Sequence, residues 1–212
     1  MAKIKTDGNC YICGKTFGKT AMKNHIMKEH AATGDEDCVL LMLEGAYAKE
    51  YWLFIDIAKD KSLSALDSFM RKIWLECCGH LSAFRAGNEV GKMRKLSKFS
   101  AGDKIIHEYD MGTTTESLIT FVGATRRPKQ KSDVRLLARN VPPDYKCASC
   151  GKPAEFICQE CMYDSDNPNF CQECAEKHEH EFLLQITNSP RNGECGYTGE
   201  LDIFAFEPDN RE

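Results

Sequence analysis

Cysteine and histidine residues between positions 147 and 180 have the spacing of metal ligands. Each Cys-x-x-Cys pair is a tight knuckle that directs two thiolates at one point, and structural zinc sites take four nitrogen or sulfur ligands. Three such pairs and two histidines supply eight donors, enough for two tetrahedral zinc ions. The donors are Cys147, Cys150, Cys158, Cys161, Cys171, Cys174, His178 and His180. Because protein side chains would fill all four positions at each ion, this pattern indicates structural rather than catalytic zinc.

The spacing of these donors leaves two pairings open. Consecutive pairing would place the first and second Cys-x-x-Cys pairs on one ion. Interleaved pairing would join the first pair to the third, and the second pair to the two histidines. The segment resembles the B-box zinc module, and this resemblance implies the interleaved arrangement, a cross-brace. A MYND-type module is the weaker match.

The two histidines depart from the B-box pattern. His178 and His180 are only two residues apart, and residues two apart on a regular helix do not face the same way. Either the backbone is irregular at this point, or another residue such as Cys195 supplies the last ligand.

A second zinc pattern lies near the N-terminus. Two cysteines separated by two residues are followed, after eleven residues, by two histidines that are separated by four. The four are Cys10, Cys13, His25 and His30. The pattern predicts a C2H2 zinc finger with a ββα fold, whose loop is one residue shorter than the common length of about twelve. Phe17 and Met22 occupy the positions of its small core.

The finger could bind nucleic acid or serve as a structural unit. Counting back from His25, the helix positions that usually read bases hold Gly18, Ala21 and Asn24, of which Asn24 alone can make a base-specific hydrogen bond. One finger reads about 3 bp, too few for a specific site. Four lysines could contact phosphates or form a solvated face: Lys15, Lys19, Lys23 and Lys28.

The twelve cysteines could in principle form disulfides instead. Residues 1–9 are polar and carry two lysines, without the apolar region of a secretory signal, and no run of the sequence reaches the length of a membrane span. We therefore expect a cytoplasmic protein without membrane contact, in which cysteines bind metal. Three sets of four ligands predict about three Zn²⁺ per chain.

The net charge of −4 is unevenly distributed. Residues 1–30 carry +4, residues 31–143 carry +2, and residues 144–212 carry 15 acidic and five basic groups, for −10. A basic N-terminal end could meet nucleic acid, whereas the acidic C-terminal third should repel it.

The middle of the chain predicts an α+β domain, a mainly antiparallel sheet packed with one main helix. Residues 38–43 could be a strand or a short helix, since periodicity does not decide. One helix should begin at Ser62 or Ser64 and end at Gly79. Strands are predicted at Tyr51–Ile57, Lys104–Tyr109, Ser117–Val122, Val134–Ala138 and, at the C-terminal edge, Leu201–Phe206. The predicted divisions are 1–33 (finger), 38–140 (α+β domain), 144–186 (double-zinc module) and 187–212 (loop and edge strand).

Three short motifs in this domain occur together: Ser62–Asp67, Gly79–Phe84 and His107–Gly112. They resemble the plasmid pRiA-type open-reading-frame-three family, whose members are also labelled passengers of an insertion element. The resemblance spans about residues 47–140 and implies an α+β fold, with no biochemical function attached. His107 stands where the family has tyrosine, and Thr113–Thr115 replace an acidic and aromatic continuation. Leu136–Asn140 and Asn188–Gly199 look similar to zinc-bearing members.

Other candidate chemistry is sparse. Cys77 and Cys78 with His80 could be a nucleophile and its base, but buried core residues and a helix end are the favoured interpretation. The basic runs Lys92–Lys98 and Arg126–Lys131 could contact phosphate; for the second, an exposed connection is favoured.

Together these patterns predict a zinc-binding interaction protein that is not an enzyme and acts through an unidentified protein partner. The resemblance adds a possible association with mobile elements. The alternative is a nucleic-acid-binding regulator that uses the finger and the basic runs.

Overall fold

A single antiparallel sheet of nine strands organises the computed structural model, which describes residues 4–199. The strands are β1 (Asp7–Cys10), β2 (Thr16–Gly18), β3 (Glu36–Gly45), β4 (Trp52–Ala58), β5 (Ser82–Ala86), β6 (Asn88–Val90), β7 (Lys104–Tyr109), β8 (Thr115–Arg127) and β9 (Val134–Asn140). Their order across the sheet is β2-β1-β9-β4-β3-β8-β7-β5-β6, and every neighbouring pair is antiparallel. The predicted mostly antiparallel α+β architecture is confirmed.

Two helices cover opposite faces of this sheet. Helix α1 (Lys19–Glu29) packs Met22 and Ile26 against one face, and α2 (Leu63–Met70), extended by a π-helical turn at Arg71–Leu75, packs against the other. Alternate residues of β3 and β4 point to each side: Leu53 lies in the core under α2, and Phe54 lies under α1. Both faces of these central strands are therefore buried, which explains why their sequences are continuous apolar runs.

The N-terminal hairpin belongs to the same sheet as the middle domain. Strand β1 pairs with β9, with Gly8 opposite Asn140. A Cβ atom at Gly8 would lie 2.5 Å from the carbonyl oxygen of Arg139 and against the Trp52 ring. Glycine is therefore required where the hairpin meets the sheet, and the segments predicted as 1–33 and 38–140 share one sheet.

The helix prediction was too long at its C-terminal end. The π-helical turn ends at Leu75, and Glu76 is extended with φ −67° and ψ 117°. Gly79, with φ +87°, lies in the connection that follows. The connection contains Cys77, Cys78 and His80, and β5 begins at Ser82. The error arose because Gly79 was taken as the residue that ends the helix, whereas the chain leaves helical geometry at Glu76.

The basic run at 126–131 is only partly the exposed connection that was favoured. Strand β8 continues to Arg127, whose side chain is fully buried. Its guanidinium donates to Asp56 Oδ1 at 2.9 Å and Glu36 Oε2 at 2.7 Å. Asp56 is also bound by Arg135. A buried arginine needs such partners, and a count of local charge cannot reveal them.

The C-terminal third has its own three-stranded sheet, in the order β11-β10-β12. The elements are β10 (Phe156–Cys158), α3 (Cys161–Asp164), β11 (Asn169–Phe170), α4 (Gln172–Ala175) and β12 (Leu183–Gln185). Residues 187–199 then return to the main body, where Ser189 Oγ donates to the carbonyl of Trp74 at 2.6 Å. The predicted strand Leu201–Phe206 lies outside the described residues.

The helices within residues 4–199 are too short or too polar to cross a membrane.

Candidate metal centres

Four side chains converge where the N-terminal hairpin meets α1. We call Cys10, Cys13, His25 and His30 the N-terminal cluster; their donor atoms all lie within 4.8 Å of one another. Nε2 of His25 lies 3.2 Å from Cys13 Sγ and 3.2 Å from Nε2 of His30. The hairpin turn holds the cysteines in place, because the Gly14 amide donates to the Cys10 carbonyl at 2.8 Å.

The end of α1 brings the second histidine into this cluster. Residues five apart on a continuous helix point in different directions. The helix ends at Glu29, and His30 leaves helical geometry with φ −127° and ψ 0°. Its ring therefore turns back toward His25. Burial lowers the pKa of both His25 and His30, which favours the neutral imidazole that binds metal.

Four thiols form a second group in the C-terminal third. We call Cys147, Cys150, Cys171 and Cys174 the tetrathiol cluster. Sγ of Cys150 lies 3.6 Å from Sγ of Cys171. The two Cys-x-x-Cys pairs come from separate segments of the module: one from the loop before β10, the other from the start of α4.

The electrostatics of the tetrathiol cluster favour a bound cation. Burial raises the pKa of Cys147, but backbone amides of Cys171, Cys150 and Ser149 outweigh it and lower that pKa to about 6. The side chains of Cys147, Cys171 and Cys150 raise the pKa of Cys174 to about 12. Without a positive ion, the four sulfur atoms cannot all be thiolates, whereas a metal ion stabilises all four.

Two cysteines and two histidines form a third group next to it. We call Cys158, Cys161, His178 and His180 the mixed cluster. Nδ1 of His180 lies 3.3 Å from Cys158 Sγ, and Nε2 of His178 lies 3.3 Å from Cys161 Sγ. The histidines follow α4, which ends at Ala175, so they are not on a regular helix. The irregular backbone lets both rings reach one point, one through Nε2 and one through Nδ1.

The grouping in the C-terminal third is the interleaved one. First and third Cys-x-x-Cys pairs converge, and the second pair converges with the histidines. Cys195 does not complete the mixed cluster: its Sγ lies 3.8 Å from that of Cys78 in the main body. That alternative source for the last ligand was wrong.

The donor spacing fits tetrahedral metal coordination. Bonds of about 2.3 Å to sulfur and about 2.0 Å to nitrogen, at tetrahedral angles, separate ligand atoms by about 3.3 to 3.8 Å. The Cys150–Cys171 separation of 3.6 Å and the Cys158–His180 separation of 3.3 Å lie in this range. The clusters could therefore hold metal ions, and their thiolate and imidazole donors are compatible with zinc.

A fourth group of donors was not predicted as a metal site. Cys77, Cys78, His80 and Cys195, the fourth cluster, also have donor atoms within 4.8 Å of one another. The first three residues were considered as a nucleophile and its base, and Cys195 as a ligand elsewhere. Local spacing could not find this group because Cys195 is 115 residues from His80 in sequence. The clustering of three donor residues within four positions was the available signal.

A surface groove lies beside the tetrathiol and mixed clusters. It is lined by Ser149, Cys174, Lys177, His178 and Glu179. Because Cys174 and His178 belong to different clusters, metal binding at both would fix the shape of this groove.

Comparison with known proteins gives little additional information. No protein-family model matches the chain, and no curated protein matches it significantly. Among solved structures, the chain is similar to the crystal structure of the protein of unknown function MM3350 from Methanosarcina mazei Go1. The two chains are 16% identical, with a TM-score of 0.44, over 55% of this chain and 75% of the other. A likeness of this size carries no argument about function.

Proposed function

We propose that this chain is a zinc-binding, non-enzymatic interaction protein that binds a protein partner through its C-terminal third. The single observation that carries the proposal is the convergence of eight donors in two adjacent groups of four. With zinc bound by four protein side chains, each site is closed, which is the arrangement of structural zinc. The metal would then hold a surface in shape rather than activate water.

The negative charge of the C-terminal module favours a positively charged partner. Residues 144–186 carry nine acidic and three basic groups. Zinc on four thiolates adds a charge of −2, whereas zinc on two thiolates and two imidazoles is neutral. A basic protein surface is therefore the favoured partner, because opposite potentials steer association.

Two exposed aromatic side chains supply apolar anchors in the same module. Tyr163 is 76% exposed and Phe182 is 66% exposed. Their segments are adjacent, because the Gln159 amide, just before α3, donates to the Phe182 carbonyl at 3.0 Å. Aromatic residues within a polar rim are the usual anchors of protein interfaces.

We also propose the finer divisions of the chain: a ββα finger at 1–33, a pRiA-type α+β domain at 38–140, and a B-box-like cross-brace at 144–186. The finger is supported by the hairpin β1–β2 followed by α1. The middle domain is supported by the burial of its motif residues Leu63, Leu66 and Phe84. An association with mobile elements rests on the family resemblance alone.

A second candidate function is nucleic-acid binding by the finger. The exposed position of Asn24 on the outer side of α1 favours it. Against it, two of the four lysines are already paired within the chain, Lys19 with Glu44 and Lys28 with Glu29 at 3.1 Å. Lys92, in the basic run before β7, binds Asp67 at 2.8 Å. We therefore rank this function second.

One pair of assays separates the two functions. Zinc-loaded whole chain is immobilised, and proteins that it retains from an extract of its source organism are quantified by mass spectrometry. The same chain is titrated with random duplex DNA at low salt. We expect a basic partner that the Tyr163→Ala/Phe182→Ala variant loses and the Tyr47→Ala variant keeps, since Tyr47 is an 88% exposed aromatic outside the module. The same partner retained equally by both variants would contradict the proposed surface. DNA binding that weakens steeply with salt would favour the second function.

A further inference from the structure

We propose that Cys77, Cys78, His80 and Cys195 form a fourth zinc site, which fastens the C-terminal segment 187–199 to the main body. Nε2 of His80 lies 3.0 Å from Cys78 Sγ and 3.2 Å from Cys195 Sγ. The Sγ atoms of Cys78 and Cys195 are 3.8 Å apart, and those of Cys77 and Cys78 are 4.0 Å apart. Three thiols and one imidazole thus surround a common point.

These separations, 3.0 to 4.0 Å, bracket those expected at a tetrahedral metal ion and are too long for a disulfide. A disulfide requires sulfur atoms about 2.05 Å apart. The Cys78–Cys195 separation of 3.8 Å instead resembles the 3.6 Å between Cys150 and Cys171 in the tetrathiol cluster. Three thiolates with one imidazole is an established donor set for structural zinc.

Unusual backbone conformations occur at the same place. Within residues 4–199, the non-glycine residues with positive φ are Asp110 at 67° and Cys195 at 44°. Such conformations cost free energy and persist where surrounding contacts impose them. Cys195 is itself a proposed ligand, and Oδ2 of Asp110 lies 3.4 Å from Nε2 of His80. One left-handed residue is therefore a ligand of the fourth cluster, and the other contacts its histidine.

A buried arginine holds the segment that carries Cys195 and places a positive charge beside the proposed site. Arg191 is fully buried; it donates to Asp110 Oδ2 at 2.7 Å and to Thr115 Oγ1 at 2.9 Å. These bonds fix the segment four residues before Cys195. Zinc on three thiolates and a neutral imidazole would carry a net charge of −1. The Arg191 guanidinium faces that charge, with Nη2 3.6 Å from Cys77 Sγ.

The site would join parts of the chain that are far apart in sequence. Three ligands lie in the connection between the π-helical turn and β5, and the fourth lies beyond the double-zinc module. The module itself touches the returning segment, because Gln159 Nε2 donates to the Gly193 carbonyl at 2.7 Å. A metal ion here would fix the segment that links the module to the sheet, and it would raise the zinc content by one above the other three clusters.

The test is zinc content, with a matched cysteine control. Whole chain is purified with zinc under reducing conditions, and zinc per chain is measured by native mass spectrometry. Cys195→Ser should hold one zinc fewer than the wild type. Cys38→Ala should be unchanged, because Cys38 is the remaining cysteine of the twelve and lies in β3, outside every cluster.

A spectroscopic measurement shows which ligands bind. In cobalt-loaded protein, Cys195→Ser should lose part of the thiolate-to-cobalt absorption. Because Cys195 is exposed, we expect this variant to fold; Cys78→Ser, also exposed, provides an independent variant with the same expected loss. Equal zinc and equal cobalt absorption in the wild type and both variants would overturn the proposal. So would a Cys78–Cys195 disulfide in the freshly purified wild type.

Discussion

Sγ of Cys150 lies 3.6 Å from Sγ of Cys171, although the two residues belong to the first and third Cys-x-x-Cys pairs. The intervening pair, Cys158 and Cys161, converges instead with His178 and His180. The two groups therefore alternate along the chain, and Cys158 at the end of β10 belongs to the second of them. Each proposed metal ion would join two segments that are separated in sequence by ligands of the other ion, so loss of either ion should loosen the whole module.

The interleaved grouping predicts a pattern of zinc loss in paired variants. Cys150→Ser and Cys171→Ser should each remove one zinc, and the double variant should also remove only one, because both residues would share an ion. Cys150→Ser combined with Cys158→Ser should remove two. Zinc is counted by native mass spectrometry after dialysis against a chelator of moderate affinity. Consecutive pairing would reverse the two double-variant results.

The junction between the hairpin and the sheet predicts a steric effect. Gly8→Ala places a methyl group against the Trp52 ring and 2.5 Å from the carbonyl oxygen of Arg139. Overpacking of this kind costs about 1–3 kcal/mol. Gly18→Ala is the matched control, since its Cβ would meet only Asp7 Oδ1 at 3.4 Å. Urea unfolding should show a clear loss of stability for Gly8→Ala alone; equal effects would indicate that the hairpin does not pack there.

Two adjacent arginines predict very different effects on stability. Arg127 is buried and paired with Asp56 and Glu36, whereas Arg126 is exposed and lies 3.5 Å from Asp37. Removing one partner of a buried ion pair costs about 3–5 kcal/mol. An exposed pair contributes about 0–1 kcal/mol. Arg127→Ala should therefore destabilise the chain strongly in urea unfolding and Arg126→Ala slightly. Similar values for the two variants would refute the buried network.

A buried histidine predicts a pH dependence of folding. Burial lowers the pKa of His107 below its usual value of 6.5, with Lys92 and Arg71 acting in the same direction and Asp67 opposing them. Nε2 of His107 lies 2.7 Å from Asp67 Oδ1, and Nδ1 is buried without a hydrogen-bond partner. A proton on Nδ1 would therefore be poorly stabilised in the folded state.

The sign of this effect follows from proton binding. As pH falls through 6.5, the unfolded chain gains a proton at His107 that the folded chain does not, so the free energy of unfolding decreases. Neutral His107 contributes fully to the free energy of unfolding above pH 6.5. This contribution is lost as the pH falls from 6.5 toward the pKa of His107 in the folded chain, by at most about 1.4 kcal/mol per pH unit for one proton. His107→Gln keeps a donor for Asp67 and should reduce the slope between pH 7.5 and 5.5. Urea unfolding of the wild type and the variant at both pH values measures this slope. Identical slopes in the two proteins would mean that His107 is not the titrating group.

Local spacing was sufficient to find most of the donor residues. The knuckles at Cys147 and Cys10 are short-range turns, and the remaining ligands follow within 27 residues of Cys147 and 20 residues of Cys10. The B-box resemblance led to the interleaved grouping, which spacing had left open. Cys195 was misplaced because its neighbours in space, Cys78 and His80, are more than a hundred residues away in sequence. No periodicity connects them, and the contact depends on how residues 187–199 return to the sheet.

The fold was predictable where residue types favour a strand and less so where neighbours in space decide. Strand β7 was predicted with the correct bounds, and β4 was predicted within one residue at each end. Strand β3 was left undecided because its apolar run has no period, and both of its faces are covered, one by α1 and one by α2. The buried end of β8 was missed because Arg127 is charged, and its partners Asp56 and Glu36 come from other strands. Propensity describes a residue alone, and these cases depend on its neighbours.

Metal binding by the three clusters is tested most directly by an anomalous difference map from crystals of the zinc-loaded protein, recorded just above the zinc absorption edge. We expect one strong peak within bonding distance of all four donors in each of the N-terminal, tetrathiol and mixed clusters. A map without peaks at those points, in a chain that is otherwise folded as described, would contradict metal binding there.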